Sequence, residues 1–119
     1  MSYTDQIKDV IESSDVALFM KGTPSFVMCG NSDRALQALR RAGASVTAVD
    51  ILPDPQIRQD LSAISGWPTI PQVFVKGELV GGADIVEELE QSGELAATLR
   101  EKLGDDYAAT TDETTVALA

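Results

Sequence analysis

The pattern that most constrains the fold of this chain is a strand, a helix and a second strand between residues 16 and 51. The apolar run VALFM at 16–20 is typical of a buried strand, and SVTAVDI at 45–51 predicts another. Between them, SDRALQALRRAG carries apolar residues at helical spacing, which predicts a helix that begins at Asn31 or Ser32 and ends at Gly43. Two strands joined through a helix lie parallel with a right-handed crossover, so the sequence predicts a βαβ unit.

Capping residues, apolar periodicity and turn signals predict the remaining elements. They are a first helix beginning near Thr4, a helix capped by Asp54 and ending at Gly66, a hairpin turning at Lys76-Gly77, and a final helical region from an Asp84–Glu87 capping box to about Leu103. The order α-βαβ-α-ββ-α predicts an α/β fold in which helices cover both faces of a mixed four-stranded sheet. This is the thioredoxin-like order of elements.

Length and composition indicate one small domain followed by a tail. The chain has 119 residues and a mass of 12.7 kDa, which is enough for one hydrophobic core. The elements predicted above occupy residues 1–103. Residues 104–119, GDDYAATTDETTVALA, contain four acidic residues and no basic one, and we expect them to form a disordered acidic tail.

The charge of the chain argues against nucleic acid as a partner. Nine Lys and Arg stand against 19 Asp and Glu, for a formal net charge of −10, whereas a phosphate backbone requires a basic surface. No apolar run approaches the ~20 residues that span a bilayer, so we expect no membrane interaction. The N-terminal sequence MSYTDQIKDV lacks the pattern of a signal or transit peptide, and we expect a cytoplasmic location.

Cys29 is the only cysteine of a chain that has no histidine. It precedes the predicted helix at 31–43, where free backbone N–H groups and the helix dipole stabilise a thiolate, and Lys21 adds a nearby positive charge. The absence of histidine excludes a Cys-His protease or transferase, and a single cysteine cannot form an internal disulfide. The alternative for such a residue is a small, buried and inert side chain.

Ser32 stands where redox proteins of this topology place a second, resolving cysteine. Any redox cycle at Cys29 therefore needs an external thiol, and any metal site needs external ligands. Two chains, each contributing Cys29 and one small-molecule thiol, would supply the four thiolates of a [2Fe–2S] cluster. A peroxiredoxin is disfavoured because Gly22 and Phe26 occupy the positions of its proline and threonine.

The motifs MKGTP, CGNS, WPTIPQ, KGELVGG and AD, in this order and spacing, resemble those of the monothiol glutaredoxins of the CGFS type. The resemblance covers about residues 5 to 103 and implies the glutaredoxin version of the thioredoxin-like fold. It also implies a redox-active Cys29 that acts as the metal ligand of a [2Fe–2S] cluster. In that family the cluster is shared across a homodimer, and one glutathione per subunit completes its coordination.

The resemblance also implies a groove that binds glutathione. Lys21 and Arg58 would meet the glycyl carboxylate, and Ile70 would pair with the tripeptide backbone beside a cis proline at Pro71. The remaining groove residues implied by the resemblance are Gly82, Ala83 and Asp84.

Three functions are compatible with these residues. The first is a carrier that delivers the cluster to apo-proteins, with a BolA-like protein as a further partner of the kind the family uses. The alternative is a weak glutathione-dependent thiol–disulfide oxidoreductase acting through Cys29, and a non-redox adaptor is a third possibility.

The chain departs from the family at Asn31, where the family has phenylalanine, and at Ala83, where cysteine or serine is common. We expect the loss of the ring at position 31 to expose the cluster to water.

Overall fold

The computed structural model describes residues 2–119. Its helices are α1 (Tyr3–Ser13), α2 (Gly30–Arg41), α3 (Pro55–Ser65), α4 (Ala83–Ser92) and α5 (Glu94–Leu103). Its strands are β1 (Val16–Met20), β2 (Gly22–Thr23), β3 (Phe26–Val27), β4 (Val46–Asp50), β5 (Gln72–Val75), β6 (Glu78–Gly81) and β7 (Glu113–Val116). None of the helices in residues 2–119 has the length and apolar character needed to cross a membrane.

The main sheet is mixed and has the strand order β6-β5-β1-β4-β7. Strand β1 lies parallel to β4 and antiparallel to β5, so Leu18 is paired with Ala48 on one side and Val73 on the other. Strands β5 and β6 form the hairpin that turns at Lys76 and Gly77. The predicted βαβ unit, the hairpin and the α/β class are therefore confirmed.

Strand β1 is buried on both faces because helices pack on each side of the sheet. Leu18 and Met20 belong to the cluster that includes residues of α2, α4 and α5, whereas Ala17 and Phe19 belong to the cluster that includes residues of α1 and α3. The ring of Phe19 meets that of Phe74 edge to face at a centroid distance of 5.7 Å. This two-sided burial explains why VALFM is continuously apolar.

The helix that follows β4 has the predicted limits. The Oδ1 atom of Asp54 accepts a hydrogen bond of 2.9 Å from the backbone N–H of Gln56, and Pro55 occupies the first turn, where its missing N–H costs nothing. Gly66 ends the helix in the left-handed conformation with φ 73°. Local capping signals therefore mark both ends of α3.

Two predicted helix starts are wrong. Ser2, not Thr4, caps α1, because its Oγ atom accepts a 3.1 Å hydrogen bond from the backbone N–H of Asp5. Gly82, not Asp84, caps α4, and Asp84 lies in the first turn with its carboxylate bonded to Arg34. The predicted capping box does not form because Arg34 also takes the Glu87 carboxylate.

The final helical region consists of two helices. Gly93 separates α4 from α5 in the left-handed conformation, with φ 84°. Glycine adopts this conformation without the steric cost that a Cβ atom brings. Leu95 and Leu99 of α5 then return to the core.

Residues 104–119, expected to be a disordered tail, pack against the body of the domain instead. Strand β7 extends the expected four-stranded sheet to five by pairing in parallel with β4. The Tyr107 hydroxyl donates a 2.6 Å hydrogen bond to the carbonyl of Ala42, and Arg40 pairs with Glu113 at 2.6 Å. These long-range contacts, together with the packing of Val116 and Leu118 on the α1–α3 side, offset the ordering of a polar segment.

Candidate functional site

Cys29 lies at the N-cap of α2, directly after the small β2–β3 hairpin. Its backbone is extended, with φ −151° and ψ 133°, and its carbonyl accepts the first helical hydrogen bond from Asp33 at 3.0 Å. Helix α2 thus begins at Gly30, slightly before the predicted start. The thiol is partly exposed, so the alternative of an inert buried cysteine does not hold.

The first turn of α2 lowers the pKa of the Cys29 thiol. The largest cause is the backbone N–H of Ser32, followed among the favourable contributions by the N–H of Asn31, the hydroxyl of Ser32 and the charge of Lys21. Partial burial opposes these contributions. The N–H groups that a helix leaves free at its start therefore stabilise the thiolate, as the sequence predicted.

Ser32 has a structural role at the position of a resolving cysteine. It is completely buried, and its Oγ atom accepts a 3.0 Å hydrogen bond from the backbone N–H of Lys21. The hydroxyl thus ties the end of β1 to the start of α2. No second thiol exists in this chain to close an internal disulfide with Cys29.

The loop before Cys29 is held in a compact turn. Gly22 has φ 93°, its N–H donates a 2.9 Å hydrogen bond to Asp50, and a Cβ atom at this position would lie 2.8 Å from the backbone nitrogen of Met28. Met28 in turn donates to the carbonyl of Lys21 at 2.9 Å. Only glycine fits this approach of backbone to backbone, which places Lys21 close to the thiol.

Five of the residues implied by the resemblance line one groove of about 460 Å³. The Ile70–Pro71 peptide bond is cis, as expected. These five residues are Ile70, Pro71, Gly82, Ala83 and Asp84. Trp67 and Thr69 complete one wall, and Asn31 and Arg34 of α2 complete the opposite side.

Lys21 and Arg58 lie together in a separate hollow of about 340 Å³ with Leu52. Arg58 also approaches the carbonyl of Pro68 at 3.5 Å, next to the loop that lines the groove. Cys29 borders a third, open hollow with Met28. The structure therefore brings the predicted residues into three neighbouring depressions rather than one cavity.

Two residues of this region were missed by sequence reasoning. Gln72 is completely buried, and its amide donates to the carbonyls of Trp67 at 2.9 Å and Thr69 at 3.2 Å, which fixes the loop before β5. Arg34 reaches from α2 to α4 and bonds to Asp84 at 2.9 Å and Glu87 at 2.8 Å. Its hydrogen bonds lower the pKa of Glu87. A glutamine directly after WPTIP could have suggested the first, whereas no local signal marks the second.

Residues 2–119 contain no group of three or more His, Cys, Asp or Glu side chains arranged to bind a metal. Cys29 offers one partly exposed thiol with a lowered pKa, which suits a thiolate ligand. The donor set therefore fits a cluster only when the remaining ligands come from outside the chain.

Comparisons with known proteins identify the class that this fold and this site define. Residues 16–80 match the protein-family model described as Glutaredoxin, and the chain belongs to the glutaredoxin family. Its relatives within that family are named as monothiol proteins in several cases, and the resemblance drawn from the motifs is confirmed.

One such relative is Monothiol glutaredoxin-S11 of Oryza sativa subsp. japonica, 53% identical over 84% of this chain. That protein is much longer, and the match covers 20% of its length. Glutaredoxin 4 of Haemophilus ducreyi is 45% identical over 85% of this chain and 94% of its own length. The solution structure of reduced poplar apo GrxS14 superimposes with a TM-score of 0.76 at 38% identity, covering 86% of this chain and 94% of that one.

Proposed function

We propose that this protein carries a [2Fe–2S] cluster, ligated by glutathione and shared across a homodimer, and delivers it to apo-proteins in the cytoplasm. The observation that carries the proposal is a single activated thiol at a helix start, with a buried serine where a resolving cysteine would be. Such a thiol can give one metal ligand but cannot close an internal disulfide.

The number of thiolate ligands that the cluster needs determines how many chains and how many glutathione molecules bind it. A [2Fe–2S] cluster takes four thiolates, and each chain supplies only Cys29. Two chains related by a twofold axis give two ligands, and one glutathione on each chain gives the other two. The cluster is the cargo of such a dimer, so an open and partly exposed Cys29 suits both its capture and its release.

The groove next to Cys29 supports glutathione as the outside thiol. An extended peptide can lie along the Thr69–Pro71 loop, which leads into β5. The hollow with Lys21 and Arg58 offers two cations to a carboxylate, and the groove with Gly82, Ala83 and Asp84 receives the other end.

Exposed apolar side chains near Cys29 support a protein–protein contact there. Phe26 is 71% exposed and Met28 is 56% exposed, and both belong to the segment that immediately precedes the thiol. Burying them against a second copy would remove apolar area from water. The same face would receive a BolA-like protein or an apo-protein client in place of the second copy.

Glutathione-dependent oxidoreductase activity is the second candidate, and the lowered pKa of the partly exposed Cys29 thiol favours it. The Cys29 thiolate would attack the glutathione sulfur of a protein–glutathione disulfide, forming a Cys29–glutathione disulfide and releasing the protein thiolate. A second glutathione thiolate would then attack this mixed disulfide. Cys29 leaves as the thiolate, and glutathione disulfide is the product.

Cys29→Ser tests both candidates, because it replaces the thiol with a hydroxyl of similar size. We expect the variant to retain its thermal unfolding midpoint and to lose both cluster binding on anaerobic reconstitution and reduction of a glutathionylated peptide. Ser25→Ala, an exposed change in the same loop, is the matched control and should keep both. A Cys29→Ser protein that still holds the cluster would show that Cys29 is not its ligand.

A further inference from the structure

Arg34 lines the groove and has one N–H group without a hydrogen-bond partner among residues 2–119. Its Nε atom donates to Glu87, its Nη2 atom to Asp84 and Glu87, and its Nη1 atom to Asn31 at 3.1 Å. A guanidinium has five N–H groups. Within residues 2–119 these bonds use four of them, so one N–H on Nη1 is left for a ligand in the groove that Arg34 lines.

Asp84 presents an unused acceptor beside this donor. Arg34 bonds only to its Oδ1 atom, and among the described residues none donates to Oδ2. The Asp84 side chain is 91% exposed, and it lines the same groove as Arg34. The groove therefore offers a cationic donor and an anionic acceptor that are already joined to one another.

We propose that Arg34 is a specificity-determining residue of the groove: it binds the carboxylate of a ligand end that carries an ammonium and a carboxylate on one carbon, while Asp84 binds the ammonium. The inference rests on the proposed function, in which the groove binds glutathione. The γ-glutamyl end of glutathione is an amino-acid end of this kind.

The hollow with Lys21 and Arg58 has the opposite character. The residues that line it are Lys21, Ile51, Leu52, Pro55, Arg58 and Gln59, which include two cations and no carboxylate. It suits an end with a carboxylate alone, such as the glycyl end of glutathione. The different charges of the two depressions thus fix the direction in which the tripeptide lies, and Arg34 determines which thiols the γ-glutamyl side accepts.

The test compares cysteinylglycine itself with three thiols that extend it at its amino group. They are glutathione, 4-aminobutanoyl-cysteinylglycine, which lacks only the α-carboxylate, and glutaryl-cysteinylglycine, which lacks only the amino group. The equilibrium constant for exchange of Cys29 with the symmetrical disulfide of each thiol is measured by intact mass spectrometry after acid quenching. In each exchange the Cys29 thiolate forms one mixed disulfide and releases one thiolate of the probe.

We expect the wild-type protein to favour glutathione over the analogue without the carboxylate by about tenfold, as a charge-assisted hydrogen bond would give. Arg34→Gln should bring this ratio below about twofold while leaving discrimination against the analogue without the amino group largely intact. Asp84→Asn should lose the second discrimination. Arg41→Gln is the matched control, because Arg41 also joins α2 to α4, through Glu90 at 3.1 Å.

An Arg34→Gln protein with the wild-type ratio would overturn the inference, and so would equal losses in Arg34→Gln and Arg41→Gln, which would reduce Arg34 to a link between helices. In either case the wild-type protein would still prefer glutathione over cysteinylglycine, so the proposed glutathione groove would stand. A wild-type protein that does not prefer glutathione over cysteinylglycine would instead overturn the proposed glutathione groove, and the role of Arg34 with it.

Discussion

At Cys29 the backbone supplies the activation that a histidine gives in many thiol enzymes. The N–H groups of Ser32 and Asn31 hydrogen-bond to the sulfur and lower the pKa of the thiol, although its partial burial acts in the opposite direction. A reactive thiolate at Cys29 therefore does not require a histidine. The sequence predicted this from the position of Cys29 before a helix, because helix starts leave such N–H groups free.

The pH dependence of Cys29 alkylation follows from this lowered pKa. A folded pKa below the unfolded value means that the thiolate stabilises the fold above the unfolded pKa, and that this contribution is lost as pH falls through the folded pKa. The rate of reaction with iodoacetamide should rise with pH, with a midpoint below that of the urea-unfolded chain. Ser32→Ala should move the midpoint upward, but not to the unfolded value, because the backbone N–H groups remain. Ser25→Ala should leave it unchanged, and identical midpoints in the folded and unfolded protein would contradict the account.

Asn31 is the residue at which the chain departs from the CGFS pattern. Its side chain is exposed and accepts a hydrogen bond from Arg34. We expect Asn31→Phe to lengthen the survival of a reconstituted cluster in air and to raise the dimer fraction, because a ring adds apolar area and shields the sulfurs. Absorption decay and sedimentation measure the two effects, and Asn31→Ala is the control that removes the amide without adding a ring. Equal decay in all three proteins would mean that position 31 is neutral.

Among the helices and strands, the elements marked by local sequence signals were predicted correctly. The elements whose position or limits depend on contacts with distant residues were not. Strand β1 and helix α3 follow from VALFM and from the Asp54-Pro55 cap. The start of α4 was mispredicted because Asp84 and Glu87 match a capping box, whereas both bond to Arg34, at least 50 positions earlier in the chain. A capping pattern cannot reveal a partner that only the tertiary fold brings close.

Strand β7 was missed for a related reason. The sequence ETTV is mostly polar and exposed, and nothing in its own pattern indicates burial. Its position depends on the open edge of β4 and on Arg40, which makes two hydrogen bonds to Glu113 at 2.6 and 2.7 Å. An edge strand of this kind is determined by the neighbour it covers.

Removal of residues 104–119 should therefore destabilise the domain. The truncation exposes the edge of β4 and removes the packing of Val116 and Leu118, and we expect the thermal unfolding midpoint to fall by about 4 °C or more. A chain that ends at Val116 keeps β7 and should lose less. Calorimetry on the three lengths measures the effect, and an unchanged midpoint after removal of 104–119 would show that β7 contributes no stability.

Across the whole molecule, some Lys and Arg side chains form ion pairs within the fold, whereas others remain available to a ligand. Five of the nine Lys and Arg form ion pairs within the described chain, namely Arg34, Arg40, Arg41, Lys76 and Lys102. Lys21 and Arg58 form none among residues 2–119, although the chain carries a net charge of −10. In so acidic a chain, two neighbouring cations without a carboxylate partner are suited to an anionic ligand.

The residues of the candidate site were expected from the sequence, but their arrangement was not. Cys29 followed from its place before a helix, and the resemblance carried by WPTIPQ, KGELVGG and AD implied the five residues that line the groove. These sequence patterns could not show that Arg34 joins α2 to α4 at the groove, because that contact depends on how the two helices pack. The separation of Lys21 and Arg58 from the groove of Asp84 is likewise a property of the folded surface.

The measurement that tests the central proposal most directly is anaerobic reconstitution with iron and sulfide, in the presence and absence of glutathione. Sedimentation, absorption and analysis of bound iron and glutathione are read on the same samples. The account predicts a coloured dimer with one iron and one glutathione per chain, formed only when glutathione is present. A colourless monomer under both conditions, or a cluster formed in equal yield without any added thiol, would contradict it.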